Sequence, residues 1–289
     1  MPWQNLSVVV TSDAVERLEV LLRSNGAVSV TMVDAGENPI FEPDLGTTPL
    51  WAQVKLSALF PIDTNLNDLE YTLRSNCERF SVETLADQDW ERVWLKDFKP
   101  QCFGDRLWIY PSGFSVPDGP SVCLDPGLAF GTGDHPTTKL CLEWLSTQEL
   151  RDHDVLDYGC GSGILSLAAH KLGASSVTAT DIDPQAIQAC QLNALRNDVS
   201  GAFNVCPPES IGGQYDIVVA NILFQPLVEL KAKLVGLLAP KGRLILSGIL
   251  RSQMEVIVDR YGTDITFSPA KELDDWVLLT GSTGSTPAN

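Results

Sequence analysis

The stretch Asp157-Tyr158-Gly159-Cys160-Gly161-Ser162-Gly163 limits the fold of this chain more than any other. Three glycines at alternate positions suit neither the middle of a helix nor the middle of a strand. They follow the apolar pair Val155-Leu156 and run directly into ILSLAAHKLG. A short strand, a glycine loop and a helix are the parts of a nucleotide cradle.

The spacing bears on which nucleotide. A dinucleotide loop reads G-x-G-x-x-G, and its third glycine lets helix and strand pack closely. Here that position is Ile164, and the spacing is G-x-G-x-G. Asp157 also places a carboxylate at the strand end, where a pyrophosphate is repelled. A phosphate-free ligand with a cationic amino-acid end, such as S-adenosylmethionine, suits the loop of Gly159 and Gly161 better. An NAD oxidoreductase is disfavoured on the same two residues. Asp181 stands 22 residues after Gly159, at the end of the next strand, where a carboxylate accepts ribose hydroxyls. Asp183 then caps a helix that has Pro184 at its first position.

Further βα units follow: a helix over 136–147 before the glycine loop, and after it the strand YDIVVAN, the helix PLVELKAKLVGLLAPKG, the strand RLILSGI and the helix SQMEVIVDRYG. They predict a doubly wound, mostly parallel α/β sheet, with late strands around ITF and WVLLTG pairing antiparallel at one edge. Asn221 ends the fourth strand, where ligands of such sheets sit. A second glycine-rich piece, GLAFGTG, precedes His135-Pro136-Thr137-Thr138, a helix start whose free N–H groups suit a carboxylate, with the Thr138 hydroxyl beside them. His135 reads as structural rather than as a base.

The first eighty-odd residues alternate as β-α-β-β-α-β, the order of a smaller α+β ferredoxin-like domain. Ser12-Asp13 offers its first helix a cap. DQDWERVWLKDFKP reads as a linker helix with Trp90 and Trp94 on one face. The expected organisation is therefore 1–85, a linker over 86–99, and 100–289. The seven cysteines show no C-x-x-C and the three histidines no paired spacing, so no metal site is expected. The net charge of −17 disfavours a large nucleic-acid face and suits a basic partner. No apolar run spans a bilayer and no signal-type leader opens the chain, so a cytoplasmic protein is expected.

LDPGLAFGTGDHPTT, LDYGCGSGILSLAAHKLGA, DIDPQAIQA, VVANIL and LSGIL, in that order, resemble the ribosomal protein L11 methyltransferase family. The resemblance is dense from about residue 124 to 250 and weaker before it. It implies a class I methyltransferase domain behind a substrate-recognition domain. It also implies S-adenosyl-L-methionine as cofactor, the basic ribosomal protein L11 as partner, and methylation of lysine or N-terminal amines. Cofactor contacts are implied from Thr138, Gly159, Asp181 and Asn221, and a monomer is expected. The family reads GTGTHPTT and NILA where this chain has Asp134 and Phe224. Asn221 is the expected catalytic residue: its carbonyl holds the amine while Ile222-Leu223-Phe224 form an apolar wall. The alternatives are a methyltransferase of the same fold acting on RNA or a small molecule, and a non-catalytic binding protein on a nucleotide fold.

Overall fold

The computed structural model describes residues 2–36, 40, 47–74, 77, 79–85, 99–125, 133–199 and 201–284. The chain divides into two compact units, Met1–Val93 and Trp94–Asn289. The expected linker, with Trp90 and Trp94, lies outside the described residues except for Lys99, and GLAFGTG lies outside them except for Gly133.

The first unit runs β1 (Trp3–Thr11), α1 (Val15–Ser24), β2 (Ser29–Asp34), β3 (Gln53–Pro61), α2 (Asn67–Arg74) and β4 (Arg79–Leu85). All pairings are antiparallel, in the order β2-β3-β1-β4. Alternate strand residues Leu6, Val8, Val54, Leu56 and Phe60 bury against Leu18, Leu22, Leu69 and Leu73 of the helices. Period 2 meeting period 3.6 across one interface is what the apolar spacing requires. This is the ferredoxin-like order expected. One local expectation fails: Ser12 and Asp13 do not cap α1. They form a 3₁₀ turn with Ala14, and α1 starts from Ala14 without a side-chain cap.

The second unit opens with a small sheet. β5 (Gln101–Phe103) and β6 (Leu107–Tyr110) form a hairpin, and β7 (Ser121–Cys123) joins β6 in parallel. Then come α3 (Pro136–Ser146), β8 (Asp154–Tyr158), α4 (Ile164–Lys171), β9 (Ser176–Thr180), α5 (Pro184–Arg196), β10 (Phe203–Cys206), β11 (Tyr215–Asn221), α6 (Phe224–Gly236), β12 (Leu238–Leu250), α7 (Met254–Tyr261), β13 (Ile265–Phe267), β14 (Lys271–Leu273) and β15 (Trp276–Thr283). The large sheet has the order β10-β9-β8-β11-β12-β15-β13, with β14 beside β15. Its first five strands are parallel. β15 enters antiparallel between β12 and β13.

Both sheet faces are covered. Along β11, Ile217 and Val219 enter one core and Val218 and Ala220 the other. A strand buried on both sides needs a continuous apolar run, and YDIVVAN supplies it. The chain leaves β8 toward β9 and β10, then returns to β11 on the other side of β8. That reversal opens a crevice at the carboxyl ends of β8 and β11. α6 ends at Gly236, six residues before the expected boundary, because Pro240 cannot continue a helix and Leu238 pairs with Tyr215. Among the described residues no helix is long and apolar enough to cross a membrane.

Candidate functional site

The glycine loop lies between β8 and α4. Gly159, Gly161 and Gly163 have φ of 83°, 52° and 81°, the left-handed region that side chains rarely adopt. Space is as restrictive as conformation. A Cβ on Gly159 would lie 2.2 Å from Ile222 Cγ2, and one on Gly163 would lie 2.5 Å from Cys190 Sγ.

Asp181 lies beside this loop, as expected for a residue ending β9. Its Oδ2 accepts the Gly161 N–H at 2.9 Å and its Oδ1 the Asp183 N–H at 3.0 Å. Each oxygen keeps lone-pair capacity for a ribose hydroxyl. Asp183 caps α5 by accepting the Gln185 N–H at 2.9 Å, with Pro184 at the first helical position. Ile182, between the two acids, is 84% exposed. Sequence reasoning passed over it, and its signal is an isolated apolar residue in a polar turn.

Asp157 differs from its expected placement. Its carboxylate does not face outward at the strand end; it is buried, with 2% exposure. Oδ2 accepts the Ser166 N–H at 3.0 Å and the Ser166 hydroxyl, and Oδ1 is buried without a partner. The cause is local. Gly163 at the start of α4 has no side chain to cap the helix, so a carboxylate six residues upstream takes a first-turn N–H. Burial raises the Asp157 pKa to about 6, the Ser166 bonds oppose that rise, and the nearby Asp181 charge adds to it. Ser166 was not singled out from sequence, since only the fold brings it to Asp157.

Asn221 and Thr138 come together from opposite sides of the glycine-loop segment in sequence. Asn221 Nδ2 donates to Thr138 Oγ1 at 3.4 Å, and Thr138 is buried. Ile222 links this pair to the glycine loop, since it packs under Gly159. On its other side it meets Gly248, where φ is 81° and a Cβ would lie 2.1 Å from the Ile222 carbonyl oxygen. Of the expected wall, only Leu223 is well exposed, at 57%. Ile222 fills the gap between two glycines, and Phe224 packs on the core with Leu227 rather than extending a wall.

The start of α3 also departs from expectation. Its N–H groups are not open to a carboxylate. Thr137 N–H points to His135 Nδ1 at 3.4 Å, and the Thr138 and Lys139 N–H groups go to the His135 carbonyl at 3.0 Å each. His135 is the cap, and its ring meets Trp276 edge-on at 4.8 Å. Burial lowers its pKa and so favours the neutral ring, and the Thr137 N–H suits the tautomer in which Nδ1 accepts. The Thr138 hydroxyl remains. Asp134 accepts from Gln101 Nε2 at 2.7 Å and pairs with Lys139 at 3.6 Å, so its charge is already engaged.

The site fits S-adenosylmethionine better than a pyrophosphate. The cradle is closed to side chains, Asp181 offers acceptors at its edge, and a buried carboxylate oxygen under it is uncompensated. Both acids oppose a phosphate and favour a cation.

The family model described as ribosomal protein L11 methyltransferase matches residues 2–283. A protein of that name from Azotobacter vinelandii is 50% identical over 289 residues, 97% of this chain and 99% of that protein. One from Pseudomonas aeruginosa is 49% identical, covering 97% and 98%. A crystal structure of ribosomal protein L11 methylase from Lactobacillus delbrueckii subsp. bulgaricus is 32% identical, with a TM-score of 0.60, covering 64% of this chain and 99% of that one.

Proposed function

This chain belongs to the ribosomal protein L11 methyltransferase family, and from that membership we propose which residues carry the reaction. The enzyme transfers methyl groups from S-adenosyl-L-methionine to ribosomal protein L11. When bound, the cofactor supplies an electrophilic methyl on a sulfonium. Gly159 and Gly161 would allow its close approach to the backbone, Asp181 would accept from its ribose, and Thr138 and Asn221 would supply further polar contacts.

The methyl acceptors are amino groups, lysine side chains or the N-terminal amine. A free lysine has a pKa near 10.4, so making it neutral at pH 7 costs about 4–5 kcal/mol. Asn221 suits the neutral amine. Its Nδ2 is turned to Thr138, which leaves its carbonyl oxygen to accept an amine N–H and aim the lone pair. The exposed Leu223 beside it excludes water and favours the uncharged form. Proton loss to water before the amine enters the site is sufficient.

Residues 1–85 receive L11, 86–99 link the domains, and 100–289 carry out the transfer. The net charge of −17 supports attraction of a basic protein and works against contact with nucleic acid or an anionic membrane. The enzyme acts as a cytoplasmic monomer. The observation that carries the site assignment is that Ile222 packs against Gly159 of the glycine loop while its neighbour Asn221 bonds Thr138. The test is transfer of labelled methyl to purified large-subunit ribosomal proteins. One labelled small basic protein, lost with Asp181→Ala, is expected. Label in RNA, or full transfer by Asp181→Ala, overturns the assignment.

A further inference from the structure

α5 and the turn before it touch the glycine loop at three places. Asp181, in that turn, takes the Gly161 N–H at 2.9 Å. Cys190 lies against the bare Cα of Gly163. Asn193, one turn further on, donates from Nδ2 to the Ser162 carbonyl at 2.9 Å. The peptide groups Cys160–Gly161 and Ser162–Gly163 thus each carry a hydrogen bond from α5 or the turn before it.

The end of α5 is itself fastened. Asn197 is buried and donates to the Asn193 carbonyl and the Cys123 carbonyl, at 2.8 Å each. Its Oδ1 accepts the Cys123 N–H at 2.7 Å. A carboxamide that pairs with both groups of one residue gives the edge strand β7 what a neighbouring strand would give. Lys171, at the end of α4, reaches the Asn197 carbonyl at 2.6 Å.

We propose that Asn193 is a positioning residue for the cofactor, set in place by Asn197, and that it holds the glycine loop in its binding geometry before the ligand arrives. The proposal rests on the reading that Gly159–Gly163 and Asp181 hold S-adenosylmethionine. Three glycines in the left-handed region give this loop conformational freedom that must be lost on ordering, and backbone bonds from Gly159 and Cys160 to the Thr180 carbonyl restrain only its start. Without Asn193, ordering them opposes each binding event.

The experiment is titration of S-adenosylhomocysteine into the full chain by calorimetry, with steady-state kinetics and thermal melting alongside. Asn193→Ala raises Kd about five- to tenfold, the range of one lost hydrogen bond. KM for S-adenosylmethionine rises by a similar factor, while kcat at saturating cofactor changes less than twofold. Asn193→Gln, which keeps the amide donor, recovers most of the affinity. Amide exchange at Gly161 and Gly163 accelerates in Asn193→Ala. An unchanged Kd with a lowered melting temperature assigns Asn193 to folding alone and overturns the proposal. If Asn193→Ala does not fold, Asn193→Ser is read in the same way, since its hydroxyl is too short to span the gap. Asp181→Ala separates the two levels. Weak binding there beside normal binding in Asn193→Ala removes the brace only; normal binding in both removes the site reading and the brace with it.

Discussion

Asp157 carries an ionisable group where the fold works against its charge. Its pKa of about 6 in the folded protein stands above the 3.8 of an unburied carboxyl. Between these values the unfolded chain has lost a proton that the folded chain keeps. Stability from this group therefore falls as pH rises from about 4 to about 6, and the penalty is complete above that window. At full ionisation it is about 3 kcal/mol. Asp157→Asn keeps an oxygen for the Ser166 N–H and removes the charge. The variant is expected to be more stable than the parent by about 1–3 kcal/mol at pH 7.5, with the gain gone at pH 4. Urea unfolding at the two pH values checks this, and an equal gain at both would remove burial as the cause. The same variant should bind S-adenosylmethionine more weakly, because the buried charge acts on a cationic ligand through a medium of low dielectric. Asn221 makes a different prediction. Asn221→Ala deletes the oxygen aimed at the amine, and kcat should fall on the order of a hundredfold, the scale of a lost orienting group. Methyl incorporation at saturating cofactor measures it, and full turnover would exclude the role.

Among the elements, the two glycines around Ile222 make the sharpest contrast. At Gly159 the obstacle is a side-chain methyl; at Gly248 it is backbone, with the Ile222 carbonyl oxygen and carbon at 2.1 and 2.7 Å from an added Cβ. Trimming Ile222→Ala should therefore recover part of the stability lost in Gly159→Ala and none of that lost in Gly248→Ala. Both single glycine variants are expected to lose at least about 2 kcal/mol, since strain at positive φ adds to the clash. Chemical denaturation of the two double variants reads the difference directly; equal rescue would mean the loop around Ile222 shifts freely. Gly248 also shows what a linear reading can and cannot extract. Its place in LSGIL was visible, but its reason was not, because Ile222 reaches it only once β11 and β12 are adjacent. The same holds for Ser166 on Asp157 and Asn221 on Thr138, pairs 9 and 83 residues apart. Features set by local pattern were legible: the glycine loop, the Asp183–Pro184 helix start and the strand YDIVVAN. Errors fell where neighbouring groups compete for the same backbone donors, as at Ser12-Asp13 and at the start of α3, where His135 uses the N–H groups left open by the sequence reading.

At the scale of the whole molecule, each unit encloses its own core. Leu6, Leu22, Leu56, Phe60 and Leu73 bury completely within the first, and every strand of the first sheet pairs inside that unit. The cradle, Asp181, Thr138 and Asn221 all belong to the second. The two-domain plan was readable from sequence because periodicity changes character along the chain: β-α-β-β-α-β repeats give way to βα units that contain the glycine loop. If cofactor binding resides in one unit and substrate recognition in the other, the two should separate. Residues 100–289 produced alone are expected to bind S-adenosylhomocysteine within about threefold of the full chain, under 1 kcal/mol of difference. Their kcat/KM for L11 should fall by at least about a hundredfold, because the binding energy that positions the amine has been removed. Salt gives an independent reading of the same division. A chain of net charge −17 meeting a basic protein should lose kcat/KM as ionic strength rises, through slower association. The cofactor Kd, set by short contacts, should move much less. A truncated protein that still methylates L11 at the full-length rate would place substrate recognition in the second unit, and the N-terminal sheet would then need another role.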